Sequence, residues 1–314
     1  MPNDGGGRHP AQYAGLFILR VLLTGAKGFT GRLFAERAIS VGHAIHELQS
    51  DLTDNEAVRN EVLKVAPEAV VHLAGISFAG HANDVAFYAV NVVGTTNLLD
   101  ALVLLPLRPQ RVLLASSANI YGNTAQSPID ELQAPAPVNH YGMSKLAMEY
   151  MAKTYSDRLD LVITRPFNYT GPGQDPNFLI PKLALHFARR APSIALGNLD
   201  VEREFNDVQT VCDAYLLLLA HGEPGETYNI CSGRPHALRQ VIDTFARMTL
   251  HNPRIEVNPA FVRTNEVHRL CGNPNKLQTL LAKQHASLKE PKLEETLARM
   301  LSAAKATAAA NSIS

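Results

Sequence analysis

The chain has 314 residues, 46% of them hydrophobic, which suffices for one large α/β domain carrying a smaller lobe. Lys+Arg and Asp+Glu both number 29, which excludes a global attraction to nucleic acid or to an anionic membrane. The cysteines are Cys212, Cys231 and Cys271, an odd set without metal-ligand spacing; a reduced, cytoplasmic setting and no metal are the expectations.

Residues 1–15 read as a flexible leader. The apolar segment from Leu16 to Leu23 is broken by Arg20 and runs into a glycine loop. It predicts a buried strand over 20–24, not a signal peptide or membrane span. The strand ends in TGAKGFTG, with Gly25, Gly28 and Gly31, and a helix over 30–40 follows. Such a turn lets backbone N–H groups approach a pyrophosphate, and the helix N-terminus adds a favourable field. The plain alternative is a tight turn that binds nothing.

Lys27 stands within this loop, where a cation suits an adenosine 2′-phosphate. The next strand, over 44–49, shows no acid at its end to bind a free 2′-hydroxyl, Glu47 falling inside it. NADPH is therefore the expected preference, with NADH possible; the alternative is a merely solvated Lys27. Asp51 is a candidate for the adenine side, or a helix cap.

Further helices are predicted over 55–65, 86–103 and 141–155. Between them, 69–73, 111–115 and 161–164 are short, apolar and rich in Val, Leu and Ile. This alternation predicts a doubly wound, Rossmann-type parallel sheet in an α/β fold, spanning 16–167. Beyond Pro166, frequent Pro and Gly suggest a smaller, discontinuous substrate lobe over 168–199 and 231–302. Residues 200–230 are expected to return to the main sheet. The Ala-rich stretch 303–314 is expected to fray.

Ser116 and Ser117 close the strand RVLLASS, and strand C-terminal ends are where open α/β sheets bind ligands. Tyr141 and Lys145 are four apart on a helix, so both face one way. A phenol of ordinary pKa about 10 is a weak acid/base at neutral pH. A neighbouring ammonium lowers that value, and a serine hydroxyl stabilises charge on a carbonyl oxygen. A Tyr–Lys pair alone usually means packing; the ordered set of glycine loop, serine pair and Tyr/Lys helix is much harder to obtain by accident. No Cys/His cluster suits a metal, and His72 reads as a packed strand-end residue. His140, beside Tyr141, is a candidate pocket residue.

Together these motifs resemble the extended branch of the short-chain dehydrogenase/reductase superfamily. The matches are TGAKGFTG, HLAG (His72–Gly75), NVVGT (Asn91–Thr95), SSANIYG, YGMSK and RPFNYTGPGQ. The resemblance implies Ser117, Tyr141 and Lys145 as catalytic residues. Tyr141 would exchange the proton, Lys145 would hold the nicotinamide ribose and lower the tyrosine pKa, and Ser117 would orient the carbonyl. It implies cofactor contacts at Gly25, Lys27, Gly28, Phe29, Gly31, Asp51, Leu52, Leu73, Ala74, Gly75, Asn91 and Pro166. For a nucleotide sugar it implies Ser117, Asn168, Arg203, Arg263 and Glu266. Arg203, flanked by Glu202 and Glu204, has surface ion pairing as its alternative.

Dehydratases of this branch carry an acid beside the catalytic hydroxyl. Here Ala118 and Asn119 follow Ser117, so dehydration is disfavoured. The later motifs look closest to reductases of GDP-4-keto-6-deoxyhexoses, the type that makes GDP-D-rhamnose. Such enzymes imply a homodimer paired through the helices over 86–103 and 141–155. Rival readings are a UDP-glucose 4-epimerase type with tightly held NAD, and a non-catalytic dinucleotide sensor. The chain has no Trp, and 283–291 stands where the family usually carries Gly-Trp-x-Pro.

Overall fold

Val21, Leu22 and Leu23 have no exposed surface, so the first strand has no face for solvent. Helices must cover it on both sides. The computed structural model describes residues 18–76, 83–261 and 267–310. In chain order its first half runs β1 (Arg20–Thr24), α1 (Phe29–Ser40), β2 (Ala44–Glu47), α2 (Asn55–Val65), β3 (Ala69–His72), α3 (Asp84–Tyr88), α4 (Thr95–Val103), β4 (Arg111–Ala115), α5 (His140–Lys153) and β5 (Leu161–Pro166). The second half runs β6 (Tyr169–Thr170), α6 (Leu179–Ala188), β7 (Ser193–Leu196), β8 (Glu202–Arg203), β9 (Asn206–Asp207), α7 (Val208–His221), β10 (Thr227–Ile230), β11 (His236–Ala237), α8 (Leu238–Thr249), β12 (Arg254–Val257), β13 (Arg269–Leu270), α9 (Asn275–Lys283) and α10 (Leu293–Ala310).

Six strands form one parallel sheet in the order β2-β1-β3-β4-β5-β10. The doubly wound α/β reading holds. One face packs under α1, α7 and α9, where Phe34 and Tyr215 are buried. The other packs under α2, α4 and α5, around Leu98, Leu99 and Met148. Short polar side chains start the helices: Asp54 caps α2, Asn83 caps α3, Asn139 caps α5 and Asp207 caps α7.

Several boundaries differ from expectation. β2 ends at Glu47 rather than Gln49, so Glu47 is its exposed last residue. The strand is solvated along most of its length, so no apolar run marks its end. The helix expected over 86–103 is two α-helices joined by a π-helical turn, Ala89–Gly94. Residues 201–207 form short strands outside the main sheet; α7 and β10 make the return. The stretch 303–310 continues α10 instead of fraying: alanine favours helix, and Leu297, Met300 and Leu301 anchor it against the lobe core. The leader, 1–15, and residues 311–314 lie outside the described residues. The helical run Asp84–Val103 is long and apolar enough to cross a membrane, but half of it is buried within the protein.

A buried ion pair joins the sheet to α5. Arg165 of β5 donates from Nε and Nη2 to the Glu149 carboxylate at 3.0 and 2.7 Å. Their side chains are 6% and 1% exposed. Arg165 Nη1 donates to Tyr121 Oη at 2.9 Å, and Tyr121 donates to Asn229 Oδ1 at 2.7 Å. Burial works against the Arg165 charge, but Glu149 more than offsets it and raises the guanidinium pKa. Glu149→Ala should therefore lower the unfolding free energy by about 3–5 kcal/mol, because it strands a buried cation. Urea denaturation checks this; a loss below about 1 kcal/mol, the range of surface pairs, would deny the pair its structural role.

Candidate active site

The glycine loop closes β1 onto α1. Gly25 has φ +72°, and a Cβ there would lie 2.6 Å from Ala74 N. A Cβ at Gly31 would lie 2.1 Å from Gly25 O. Both positions admit only glycine at this separation. No side chain caps α1, and no acid stands in its first turn, so its N-terminus keeps a positive field toward the cleft.

The C-terminal ends of β1, β4 and β5 open into a cleft of about 370 Å³. Gly25, Gly28, Phe29 and Gly31 line one side, with Leu73 and Gly75 next to them. Ser117, Tyr141, Lys145, Pro166 and Asn168 line the rest. Lys27, Asp51, Leu52, Ala74, Asn91 and Arg203 are not among its lining residues. Arg263 and Glu266 lie outside the described residues. Sequence reasoning assigned no role to Thr30, Tyr169, Gln174 or Tyr215, which also line the cleft. Tyr169 and Gln174 sat within a quoted motif; Tyr215 gave no signal, since it lies in an ordinary apolar helix.

Ser117 ends the β4 extension and begins a short 3₁₀ turn, Ala118–Tyr121. Its Oγ accepts from Asn119 N and Asn119 Nδ2, each at 3.1 Å. Tyr141 sits in the first turn of α5, positioned by the Asn139 cap, whose Oδ1 accepts Gly142 N at 2.8 Å. Its ring is tilted against Phe87 at 6.1 Å. Burial raises the Tyr141 pKa, while the Ser117 hydrogen bond opposes the rise. Lys145 is buried and donates to Ala115 O at 2.8 Å. Burial pulls its pKa down to about 8, against the opposing charge of Glu149.

Asn91 lies in the π-helical turn, a feature frequent at functional sites. Its Oδ1 accepts Ile76 N at 3.1 Å, and its Nδ2 donates to Ser144 Oγ at 2.9 Å. It thus fixes the Leu73–Ile76 segment against α5 without lining the cleft. His72 is clasped by Thr24 at 2.7 Å and Thr95 at 2.8 Å, and burial, then Lys145, pulls its pKa down to about 3. His140 turns away from the cleft to Tyr88 at 3.0 Å and Asp84 at 3.5 Å. Tyr169 stacks on Phe29 at 6.4 Å and bonds Thr30 Oγ1 at 2.9 Å; burial pushes its pKa up to about 12.

Asp51 is exposed, and its Oδ1 accepts from Thr53 N and Thr53 Oγ1, both at 2.8 Å. Asp54, not Asp51, caps the following helix. Arg203 donates to the backbone carbonyls of Glu202 and Val267. The flanking acids are engaged elsewhere. Glu202 pairs with Arg269 at 3.3 Å, and buried Glu204 accepts from Ser232 N and Gly272 N, both at 2.6 Å.

These features suit a dinucleotide. The glycines permit backbone approach, and the buried Ser116 hydroxyl has no hydrogen-bond partner among the described residues. The family model described as NAD dependent epimerase/dehydratase matches residues 21–231. This chain belongs to that family. The matched span holds the glycine loop, Ser117, Tyr141 and Lys145 together.

Two family relatives are similar over most of their length. GDP-6-deoxy-D-talose 4-dehydrogenase of Aggregatibacter actinomycetemcomitans is 36% identical over 272 residues, 85% of this chain and 92% of that protein. GDP-6-deoxy-D-mannose reductase of Pseudomonas aeruginosa is 34% identical over 274 residues, 82% of this chain and 89% of that protein. Among solved structures, RMD from Pseudomonas aeruginosa complexed with NADPH superposes with a TM-score of 0.84 at 30% identity, covering 92% of this chain and 99% of that one.

Gly142 sets how closely α5 approaches the Ser117 turn. A Cβ there would lie 2.7 Å from Asn119 O and 3.0 Å from Pro137 Cβ. Gly142→Ala should push the first turn of α5 back and lengthen the Ser117–Tyr141 contact. Turnover is expected to fall by about tenfold or more, the cost of a displaced reacting group. Steady-state kinetics, with the melting temperature as the folding control, checks it; unchanged kcat would show that the approach has slack.

Proposed function

We propose that this protein reduces the C4 ketone of a GDP-4-keto-6-deoxyhexose with NAD(P)H, giving a product of the GDP-D-rhamnose type. The supporting observation is a single cleft that joins the glycine loop to Ser117, Tyr141 and Lys145 in a chain whose relatives act on GDP-6-deoxyhexoses. An epimerase reading is less favoured, because the talose dehydrogenase and mannose reductase relatives described above carry dehydrogenase and reductase names.

Gly25, Gly28 and Gly31 would hold the pyrophosphate, with Phe29, Leu73, Gly75 and Pro166 around the rest of the dinucleotide. When bound, the reduced nicotinamide supplies the hydride that C4 accepts. Tyr141 gives its proton to the C4 oxygen, so the carbonyl becomes a hydroxyl and the phenolate is later reprotonated from solvent. Ser117 donates to the same oxygen and stabilises its developing charge. Lys145 would hold the nicotinamide ribose and, as a cation, would favour the Tyr141 phenolate. Asn168, which lines the cleft, would face the sugar diphosphate, and Arg203, Arg263 and Glu266 are proposed contacts for the nucleotide end.

NADPH is the proposed preference. Lys27, exposed in the loop, supports it, while exposed Glu47 at the end of β2 offers a carboxylate for NADH. We further propose a homodimer paired through α3–α4 and α5. Support comes from Val85, Val93, Met143 and Tyr150, apolar residues exposed on those helices. Three unpaired, buried cysteines support a cytoplasmic setting.

The deciding assay follows nicotinamide absorbance with GDP-4-keto-6-deoxymannose and either NADPH or NADH. Stoichiometric oxidation is expected, faster with NADPH, and lost by at least about 10²-fold in Tyr141→Phe. No oxidation with either cofactor would overturn the reading. The reduction also has a pH sign. It needs Tyr141 protonated and Lys145 charged, and Lys145 loses its proton near pH 8. The kcat/KM for reduction should be flat below that value and fall about tenfold per unit well above it. A Lys145→Met variant should be slow throughout and lack this limb; an alkaline limb that persisted in it would assign the limb to another group.

A further inference from the structure

The Ser117 hydroxyl has one proton to give and two lone pairs to fill. Both acceptor positions are used by one residue: Asn119 N and Asn119 Nδ2 each donate to Ser117 Oγ at 3.1 Å. The hydroxyl proton is then left to point away from Asn119, and Tyr141 lines the same cleft as Ser117. Asn119 itself lines the cleft and is half-buried. Its carbonyl lies against Gly142, so the turn that carries Asn119 is fixed relative to the start of α5.

We propose that Asn119 is a positioning residue which, by filling both acceptor sites of Ser117 Oγ, commits the single Ser117 proton to the cleft: to Tyr141 Oη when no substrate is present and to the substrate oxygen when it is. The proposal rests on the carbonyl reduction assigned above and adds the origin of its polarity. A hydroxyl free to rotate would spend part of its time as an acceptor, and an acceptor cannot stabilise negative charge on the reacting oxygen. A carboxylate at position 119 would go further and draw the Ser117 proton toward itself. The side chain at 119 thus decides whether Ser117 acts as a donor, and an amide is the isostere that makes it one.

The test compares Asn119→Ala with Asn119→Asp in steady-state reduction of GDP-4-keto-6-deoxymannose by NADPH. If Asn119 merely packs, the isosteric aspartate is the milder change. If it sets hydroxyl direction, Asn119→Ala loses about 10-fold and Asn119→Asp about 10²-fold in kcat, with KM little changed. In a Ser117→Ala background, Asn119→Asp should cost no more than about twofold, since the hydroxyl it acts through is gone. A second reading needs no substrate: the ¹³Cζ resonance of Tyr141 at neutral pH, assigned with Tyr141→Phe. Asn119→Ala should shift that resonance, and the shift should vanish when Ser117 is already Ala. An aspartate variant as active as the alanine variant, or a Tyr141 resonance indifferent to Asn119→Ala, overturns the proposal. Failure of the wild-type protein to reduce this substrate, with the Tyr141 coupling intact, overturns the substrate reading and leaves the Asn119 assignment standing.

Discussion

The site depends on the buried Arg165–Glu149 pair. Glu149 lies one turn beyond Lys145 on α5, and Arg165 is the residue before Pro166 on β5. Their bidentate contact fixes the helix that carries Tyr141 and Lys145 against the strand whose end carries Pro166. Tyr121 and Asn229 extend the network to the Ser117 turn and to β10, which pairs Asn229 with Arg165 in register. Three segments that line the cleft, and β10 beside them, are therefore held by hydrogen bonds away from water, those of Arg165 charge-assisted, where such bonds are strong and their loss is costly. The same carboxylate opposes the burial-driven fall in the Lys145 pKa, so the structural pair also bears on the state of a cleft lysine.

Around that frame the cleft sets charge by contrast. Burial raises Tyr141 and lowers Lys145, which drives their proton affinities apart and favours the neutral form of each. Tyr169 and Tyr215, both raised by burial, keep their protons and contribute shape and hydrogen bonding instead of charge. His72, although next in influence to Lys145, is neutral and serves to tie β1 to α4.

The central strands were legible because β1, β3, β4 and β5 are buried on both faces and read as unbroken apolar runs. β2 is largely solvated and carries no such run, so its end, and with it the place of Glu47, was misread. The π-helical turn at Asn91 left no trace, because one extra residue in a turn hardly disturbs the apolar pattern of 86–103. The glycine loop and the Ser117, Tyr141 and Lys145 set could be read because each motif is local and ordered along the chain. Asn119 could not, since its part depends on where a side-chain amide lands, two residues from a hydroxyl that the pattern already named. Arg203 is named by the family resemblance alone; in the structure its guanidinium donates to the backbone carbonyls of Glu202 and Val267.

α10 ties a segment far along the chain to the short strands that follow Asn168. Thr296 donates to the Asp207 carboxylate at 2.6 Å, and Arg299 engages the same group. Asp207 caps α7 and belongs to β9, which pairs with β6 just beyond Asn168. During synthesis, residues 20–166 emerge first and contain the glycine loop, the Ser117 turn and α5. The support that α10 gives to Asp207 waits for residues 296–299. The fold is thus completed in two instalments, the first five strands of the parallel sheet early and the α10 contact only after residues 296–299 have been made.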